Sequence, residues 1–257
     1  MDWSLLMADS IGHGQFTYHR NMDADVAQVA ALFADRTRSA VLAAVLDGRA
    51  LAAGELAHAP GVSAATVSSH LAKLCAADLI AVEPQGRHRS LYRLVDERAG
   101  RAFEALATLA PVRPVCSLRQ SRIATELRWA RTCYDHLAGT LAVATCTALQ
   151  AQGALIPVGD TYRLGPAADE LFPQLGVDLG LARRARRSFA RRCLDWSERR
   201  HHLAGALGAA LLAAMVGRGW AIPRPSSRAL TVTGQGLAAL NTLLGVEVPA
   251  ARGNELT

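Results

Sequence analysis

Lysine is almost missing from this chain: Lys73 is the only one among 28 basic residues, so arginine carries nearly all the positive charge. Aromatic side chains are scarce, at 5%, so a core has to be filled by Ala, Leu and Val, which suits closely packed helices. Cysteines are few and scattered, at positions 75, 116, 133, 146 and 193, and none forms a CxxC pair. An odd, dispersed set excludes a disulfide scaffold and points to a reduced, cytoplasmic protein. The most apolar run, Leu203 to Val216, has fourteen residues. It is too short and too rich in Gly and Ala to span a bilayer, so it reads as a buried helix and no membrane partner is expected. The first twenty residues carry Asp2 and Asp9 and no basic segment, which does not fit a secretory leader. Nucleophile elbows, Gly-rich phosphate loops and paired-carboxylate patterns are also lacking, so an enzyme is not expected. The rival enzymatic reading is a thiol nucleophile at Cys133 or Cys193 with a nearby histidine.

What is present is a chain of 257 residues, 51% hydrophobic, with a mean hydropathy of +0.14. That is enough to bury a sizeable core, and it excludes a disordered chain. The net charge of +6 favours acidic partners such as nucleic acid, although an arginine bias of this size also follows from GC-rich coding.

Residues 1–22 show no clear period and read as an arm. From Asp23 to Phe33 the positions Val26, Val29, Ala30 and Phe33 keep helical spacing, and a second helix is expected from Asp35 to Leu46. A short helix over Ala53–His58 precedes the turn signal Pro60-Gly61. Ser63 is a good N-cap for a helix over Ala64–Ala77. Leu79–Val82 and Ser90–Leu94 read as two strands around the polar tip Gln85-Gly86-Arg87-His88-Arg89, and a helix over Glu97–Leu109 closes the unit. This is the order of a winged helix-turn-helix, placed at 23–110. Pro111 and Pro114 mark a linker after it.

In the helix after Ser63, Val67, Leu71 and Leu74 share one face and point to the core. Ala65, Thr66, Ser69, His70 and Lys73 are left on the other. Small hydroxyl residues at a helix start let it sit deep in a major groove, where Ser63, Thr66, Ser68 and Ser69 reach base edges or phosphates. His70 and Lys73 suit phosphates further along, and Arg87, His88 and Arg89 at the ribbon tip suit the backbone or the adjacent minor groove. The plain alternative is a solvated helix face beside a basic loop.

This stretch resembles the ArsR/SmtB family of dimeric winged-helix repressors. The residues that carry the resemblance are Leu32-Phe33-Ala34-Asp35-Arg36-Thr37-Arg38, then Val62-Ser63-x-x-Thr66-Val67-Ser68-x-His70-Leu71-x-x-Leu74, and Leu79-Ile80 leading into the wing. The resemblance implies double-stranded DNA as partner, a palindromic operator, a homodimer formed through the first and last helices of the domain, and operator release when an effector binds. The family's usual metal sites are not present: Gly54-Glu55-Leu56-Ala57 stands where a cysteine cluster is found in other members, and Asp96–Leu109 contains no histidine. Cys75 reads as a buried structural thiol.

The remainder contains an internal repeat. His136-Leu-Ala-Gly139 recurs as His202-Leu-Ala-Gly205, and Cys133-Tyr-Asp135 as Cys193-Leu-Asp195, with an insertion in the second copy. Each copy reads as helix-turn-helix, hairpin and helix, so the expected fold class is mainly α with short β-hairpins. A winged helix-turn-helix is followed by two degenerate winged-helix-like repeats, at 117–180 and 181–257. Leu141–Ala148 and Ala206–Ala213 are too apolar to face a groove. Cys133, Asp135 and His136 are expected within one helical turn, and Cys193, Asp195 and His202 lie close together in the second copy. Thiolate, imidazole and carboxylate form a ligand set for a thiophilic metal or metalloid effector. Two other readings stay open: a sensor of an organic ligand or oxidant with incidental cysteines, and inert thiols beside buried Asp–His or Asp–Arg pairs. Arg183, Arg187 and Arg191 are expected on one face of a solvated connecting helix.

Overall fold

The computed structural model of the chain describes residues 24–86, 89–111, 117–225 and 227–247. The arm expected over 1–22, the wing-tip residues Arg87 and His88, and Cys116 with most of the linker lie outside the described residues.

The N-terminal unit begins with α1 (Val26–Ala34) and α2 (Arg36–Ala44), each started by an aspartate. Asp25 accepts from the Gln28 amide and Asp35 from the Arg38 amide, satisfying donors that have no partner inside the helix. A two-residue strand, β1 (Leu51–Ala52), leads into α3 (Ala53–His58), and α4 (Ala64–Ala76) follows a five-residue turn. The hairpin β2 (Ile80–Gln85) and β3 (Arg89–Leu94) pairs antiparallel, and β1 adds to β3. Then comes α5 (Glu97–Leu109). Val67, Leu71 and Leu74 are buried with Val41, Leu42, Leu46 and Leu56 in one core. The order and bounds agree closely with those expected from periodicity and capping signals.

After α6 (Leu118–Trp129) the chain departs from expectation. His136-Leu-Ala is not the start of a helix. It is the strand β5 (His136–Ala138), paired back on β4 (Arg131–Cys133) with Cys133 opposite His136. The second copy repeats this as β8 (Arg191–Leu194) and β9 (His201–Ala204), with Cys193 opposite His202. Each hairpin is followed by an apolar helix, α7 (Thr140–Ala151) or α10 (Gly205–Gly217), and then by a second hairpin: β6 (Leu155–Val158) with β7 (Thr161–Leu164), or β10 (Ala221–Arg224) with β11 (Ser227–Val232). Helices α8 (Ala168–Gln174) and α9 (Leu179–Arg183) close the first copy, and α11 (Gly234–Leu244) the second.

The two copies exchange hairpins. One sheet has the order β10-β11-β4-β5 and the other β6-β7-β8-β9. The second hairpin of each copy thus extends the first hairpin of the other, through Ala229 opposite Arg131 and Thr161 opposite Arg191. One hydrophobic core, with Leu141, Leu149, Phe172, Leu207, Met215 and Leu240, takes side chains from both copies. The stretches 117–180 and 181–257 are therefore interleaved rather than set side by side.

Gly139 and Gly205 occupy equivalent turns between strand and helix, at φ +94° and +80°. A Cβ on Gly139 would sit 2.5 Å from the Arg128 carbonyl oxygen, and one on Gly205 2.5 Å from that of Ser188. Backbone strain and collision act together there. We expect Gly139→Ala to lose about 2–3 kcal/mol of stability. Gly153→Ala, also at positive φ but in open space, should lose about 1 kcal/mol. Denaturant unfolding of both variants checks the difference.

Candidate DNA interface and candidate metal centre

The outer face of α4 is assembled by its own N-terminus. The Ser63 hydroxyl accepts from the Thr66 amide and lies 2.8 Å from the Thr66 hydroxyl. Ser68 and Ser69 donate to the carbonyls of Ala64 and Thr66, so both hydroxyls remain acceptors toward solvent. Ser63, Ala65, Thr66, Ser68, Ser69 and Lys73 are all exposed, as is Arg89 at the start of β3. His70 differs from expectation. Its Nδ1 lies 3.4 Å from Asp35, the N-cap of α2, and its side chain is largely covered. It lies between α4 and the start of α2 instead of standing free on the outer face.

The second constellation sits where the hairpins β4–β5 and β8–β9 meet. Cys133, His136, Cys193 and His202 are all buried, and one donor atom from each lies within 4.8 Å of the others. The two sulfurs are 4.0 Å apart. The two imidazoles stack with centroids 5.2 Å apart. Each copy contributes one cysteine and one histidine, because the antiparallel register places Cys opposite His in both hairpins. The expectation of Cys133, Asp135 and His136 within one helical turn is corrected to a tight hairpin turn. Three-residue strands are too short for alternation to show in sequence.

The aspartates are not in the cluster but behind it. Asp135 Oδ1 lies 3.5 Å from His136 Nδ1, and Asp195 Oδ2 lies 3.6 Å from His202 Nδ1. Each Cys-x-Asp motif thus delivers a carboxylate to the histidine of its own copy. Asp135 is held by Arg187 at 2.5 Å. Asp195 is fully buried and accepts from Arg131, the Gly139 amide and Ser197. Burial works against its charge, but Arg131, Ser197 and His202 outweigh it and hold the carboxyl at about 2. Desolvation likewise opposes ionisation of Asp135, yet His136 and Arg187 leave it below the usual carboxylate range. The Cys133–Cys193 contact pushes the Cys133 thiol up and pulls the Cys193 thiol down, the latter helped by both imidazoles. Nε2 of His136 and both ring nitrogens of His202 are buried with no hydrogen-bond partner, an arrangement that needs a reason.

The cluster is wired to the N-terminal unit. Tyr134, in the turn between Cys133 and Asp135, adopts φ +60°. Its amide donates to the Leu46 carbonyl at 2.6 Å, and its ring lies against Gly48 and packs on the N-terminal core. On α5, Glu97 and Glu104 stand seven residues apart on one face. Glu97 pairs with Arg191 and Arg187, and Glu104 with Arg131 and Arg228. Arg187 and Arg191 therefore belong to this contact, not to a solvated helix, which ends at Arg183. Sequence reasoning missed Tyr134, Glu104 and Arg131. The available signal was Glu104, an acid among the apolar residues of an amphipathic helix.

A helix-turn-helix followed by a β-ribbon is the winged-helix arrangement of a DNA-binding transcriptional regulator. A family model described as a helix-turn-helix domain matches residues 33–83. The HTH-type transcriptional regulator YdfF of Bacillus subtilis, itself uncharacterized, is 42% identical over 227 residues, covering 88% of this chain and all of that one. The chain belongs to this family of HTH-type transcriptional regulators. Solved structures similar to it include the cadmium metal-sensor CMTR of Mycobacterium tuberculosis, 31% identical over 37% of this chain and 100% of that one, with a TM-score of 0.29. Another is the antimony-specific transcriptional repressor AntR, 26% identical over 40% of this chain and 94% of that one, with a TM-score of 0.30. A third is the homodimeric winged helix-turn-helix DNA-binding domain Mb0332 of Mycobacterium bovis, 25% identical over 35% of this chain and 88% of that one, with a TM-score of 0.30. Among the described residues, no helix is long and apolar enough to cross a membrane.

Arg131 is fully buried between the carboxylates of Asp195 and Glu104. Removing its charge takes the arginine partner from Asp195 and leaves Glu104 to Arg228 alone. We expect Arg131→Met to cost about 3–5 kcal/mol. Arg98→Ala, which breaks the exposed pair with Asp96, serves as a control with no measurable loss in the same thermal and denaturant measurements.

Proposed function

We propose that the chain is a dimeric transcriptional repressor of the cytoplasm whose affinity for a palindromic operator is set by an effector at the Cys133/His136/Cys193/His202 cluster. The observation that carries this reading is the convergence of four buried donors from two hairpins, with three imidazole nitrogens left unpartnered. The donor set suits a thiophilic metal or metalloid ion. An organic ligand is less well served: the apolar cavity lined by Leu137, Cys146, Leu203 and Leu211 measures about 10 Å³, near the lower limit for one water. The 4.0 Å sulfur separation favours an oxidant as the second reading, because a pair at that distance reaches a disulfide with a small shift. We assign the cysteines no catalytic role.

In this reading Ser63, Ala65, Thr66, Ser68 and Ser69 face base edges, and Lys73, Arg87, His88 and Arg89 face phosphates. Exposed apolar side chains on α1 (Val26, Val29) and α5 (Leu106, Leu109) provide the dimer surface, and two half-sites give the discrimination that one helix lacks. We also read the two C-terminal copies as degenerate descendants of one winged-helix-like unit. The route from cluster to DNA runs through the Tyr134 turn to the residues after α2, which packs on α4. A tenfold change in operator affinity needs only about 1.4 kcal/mol of differential effector binding.

The test is fluorescence anisotropy on an operator selected from random duplexes. The recovered site is expected to be an imperfect palindrome with half-sites about 10–10.5 bp apart. Lys73→Ala should lower the salt dependence by about two units per dimer, one for each half-site. Cys133→Ser and Tyr134→Ala should bind the operator like the parent chain yet lose most of the response to thiophilic ions. A single asymmetric site bound by a monomer, or an undiminished response in both variants, overturns the reading.

A further inference from the structure

We infer that the cluster is a closed four-coordinate site for a divalent ion of the zinc class, Zn²⁺ or Cd²⁺, which staples the two C-terminal copies together, and that Asp135 and Asp195 are positioning residues for its imidazole ligands. The regulatory meaning of that site rests on the function proposed above; the ion-binding claim does not.

Geometry comes first. Zinc bonds of about 2.3 Å to sulfur and about 2.0–2.1 Å to nitrogen give a tetrahedron with edges of about 3.3–3.8 Å. The sulfurs stand 4.0 Å apart, and all four donor atoms fit within 4.8 Å. The S–S edge closes with a contraction of a few tenths of an ångström and any other edge with at most about 1.5 Å. The ring orientation agrees. Nδ1 of each histidine lies 3.5–3.6 Å from its aspartate, and Nε2 on the opposite side of each ring is buried without a hydrogen-bond partner, as is Nδ1 of His202. Carboxylate behind imidazole behind metal is an arrangement that fixes the tautomer and raises ligand basicity.

Charge and donor count then select the ion. Two thiolates neutralise a divalent cation within a buried site. A monovalent ion leaves one negative charge uncompensated there, and a trivalent one leaves a positive charge. Trivalent arsenic and antimony bond to three thiolates in a pyramid, and only two sulfurs are within reach. Magnesium and calcium need oxygen ligands. All four positions are filled by protein, as in structural zinc sites, with none left open for a substrate.

The test uses the reduced full-length protein after chelator stripping, titrated anaerobically with Co²⁺. The expected result is one ion per chain, the visible absorption of a tetrahedral cobalt–thiolate centre, and its loss on adding Zn²⁺, which binds more tightly. Under mild denaturant, where the buried Cys133 and Cys193 react as the hairpins open, Zn²⁺ should also slow their alkylation in the parent chain, a readout that needs no variant to fold. Cys193→Ser should lose the thiolate-to-cobalt band. Asp135→Asn should keep the tetrahedral spectrum but weaken Zn²⁺ about 10–100-fold. Absence of a tetrahedral spectrum, or an unchanged one in Cys193→Ser, overturns the inference, as does unaltered alkylation under Zn²⁺. Anisotropy on the same samples separates the two claims. If Zn²⁺ binds without changing operator affinity, the site stands and the effector role falls. If arsenite or peroxide releases the operator while Co²⁺ finds no tetrahedral site, the effector role stands and the zinc-class assignment falls.

Discussion

The contact between two short hairpins, β4–β5 and β8–β9, organises everything beyond residue 117. Neither hairpin is long enough to be stable alone. Each is completed by a second hairpin from the other copy, so the sheets close only when both copies are folded. The glycine turns after β5 and β9 let helices α7 and α10 start directly at the sheet, where neither has a side-chain cap. A single constraint, Cys opposite His in each hairpin, then brings four donors to the same point.

A buried charge network joins this core to the DNA-binding unit. Arg131 is fully enclosed, stacked on Trp196 and paired with acids from two different units. Such pairs contribute little net stability against an apolar replacement, but a partner out of place is costly. They therefore fix one docking geometry. α5 presents Glu97 and Glu104 to equivalent strands of the two copies, through Arg191 and Arg131, so the helix that closes the winged domain also spans the C-terminal pair.

The N-terminal unit was legible because its signals are local. Ser63 and Asp35 are caps, Val67-Leu71-Leu74 is a helical stripe, and Gly86 marks a ribbon turn; each acts within a few residues. The C-terminal repeat was legible as a repeat but not as a topology. His-Leu-Ala-Gly lies beside a helical run and has no alternation, so strand and helix could not be told apart by period. The four cluster residues and the two aspartates behind them were found from composition, since duplicated Cys-x-Asp and His motifs point to one site. Their division into ligands and supporting carboxylates depends on pairing between residues about sixty positions apart, which no local pattern encodes. Tyr134 had no sequence signal at all: its role comes from the groove at Leu46 and Gly48 that receives it.

The exchange of hairpins carries a consequence for how this region assembles. A lone copy would leave strand edges open and half of a four-donor set, and could complete both only by pairing with itself. The chain holds that pair in covalent form, so the second copy is always supplied at the millimolar effective concentration that a short tether provides. Assembly of the C-terminal core is thereby independent of how many molecules are in the cell, whatever the number on an operator.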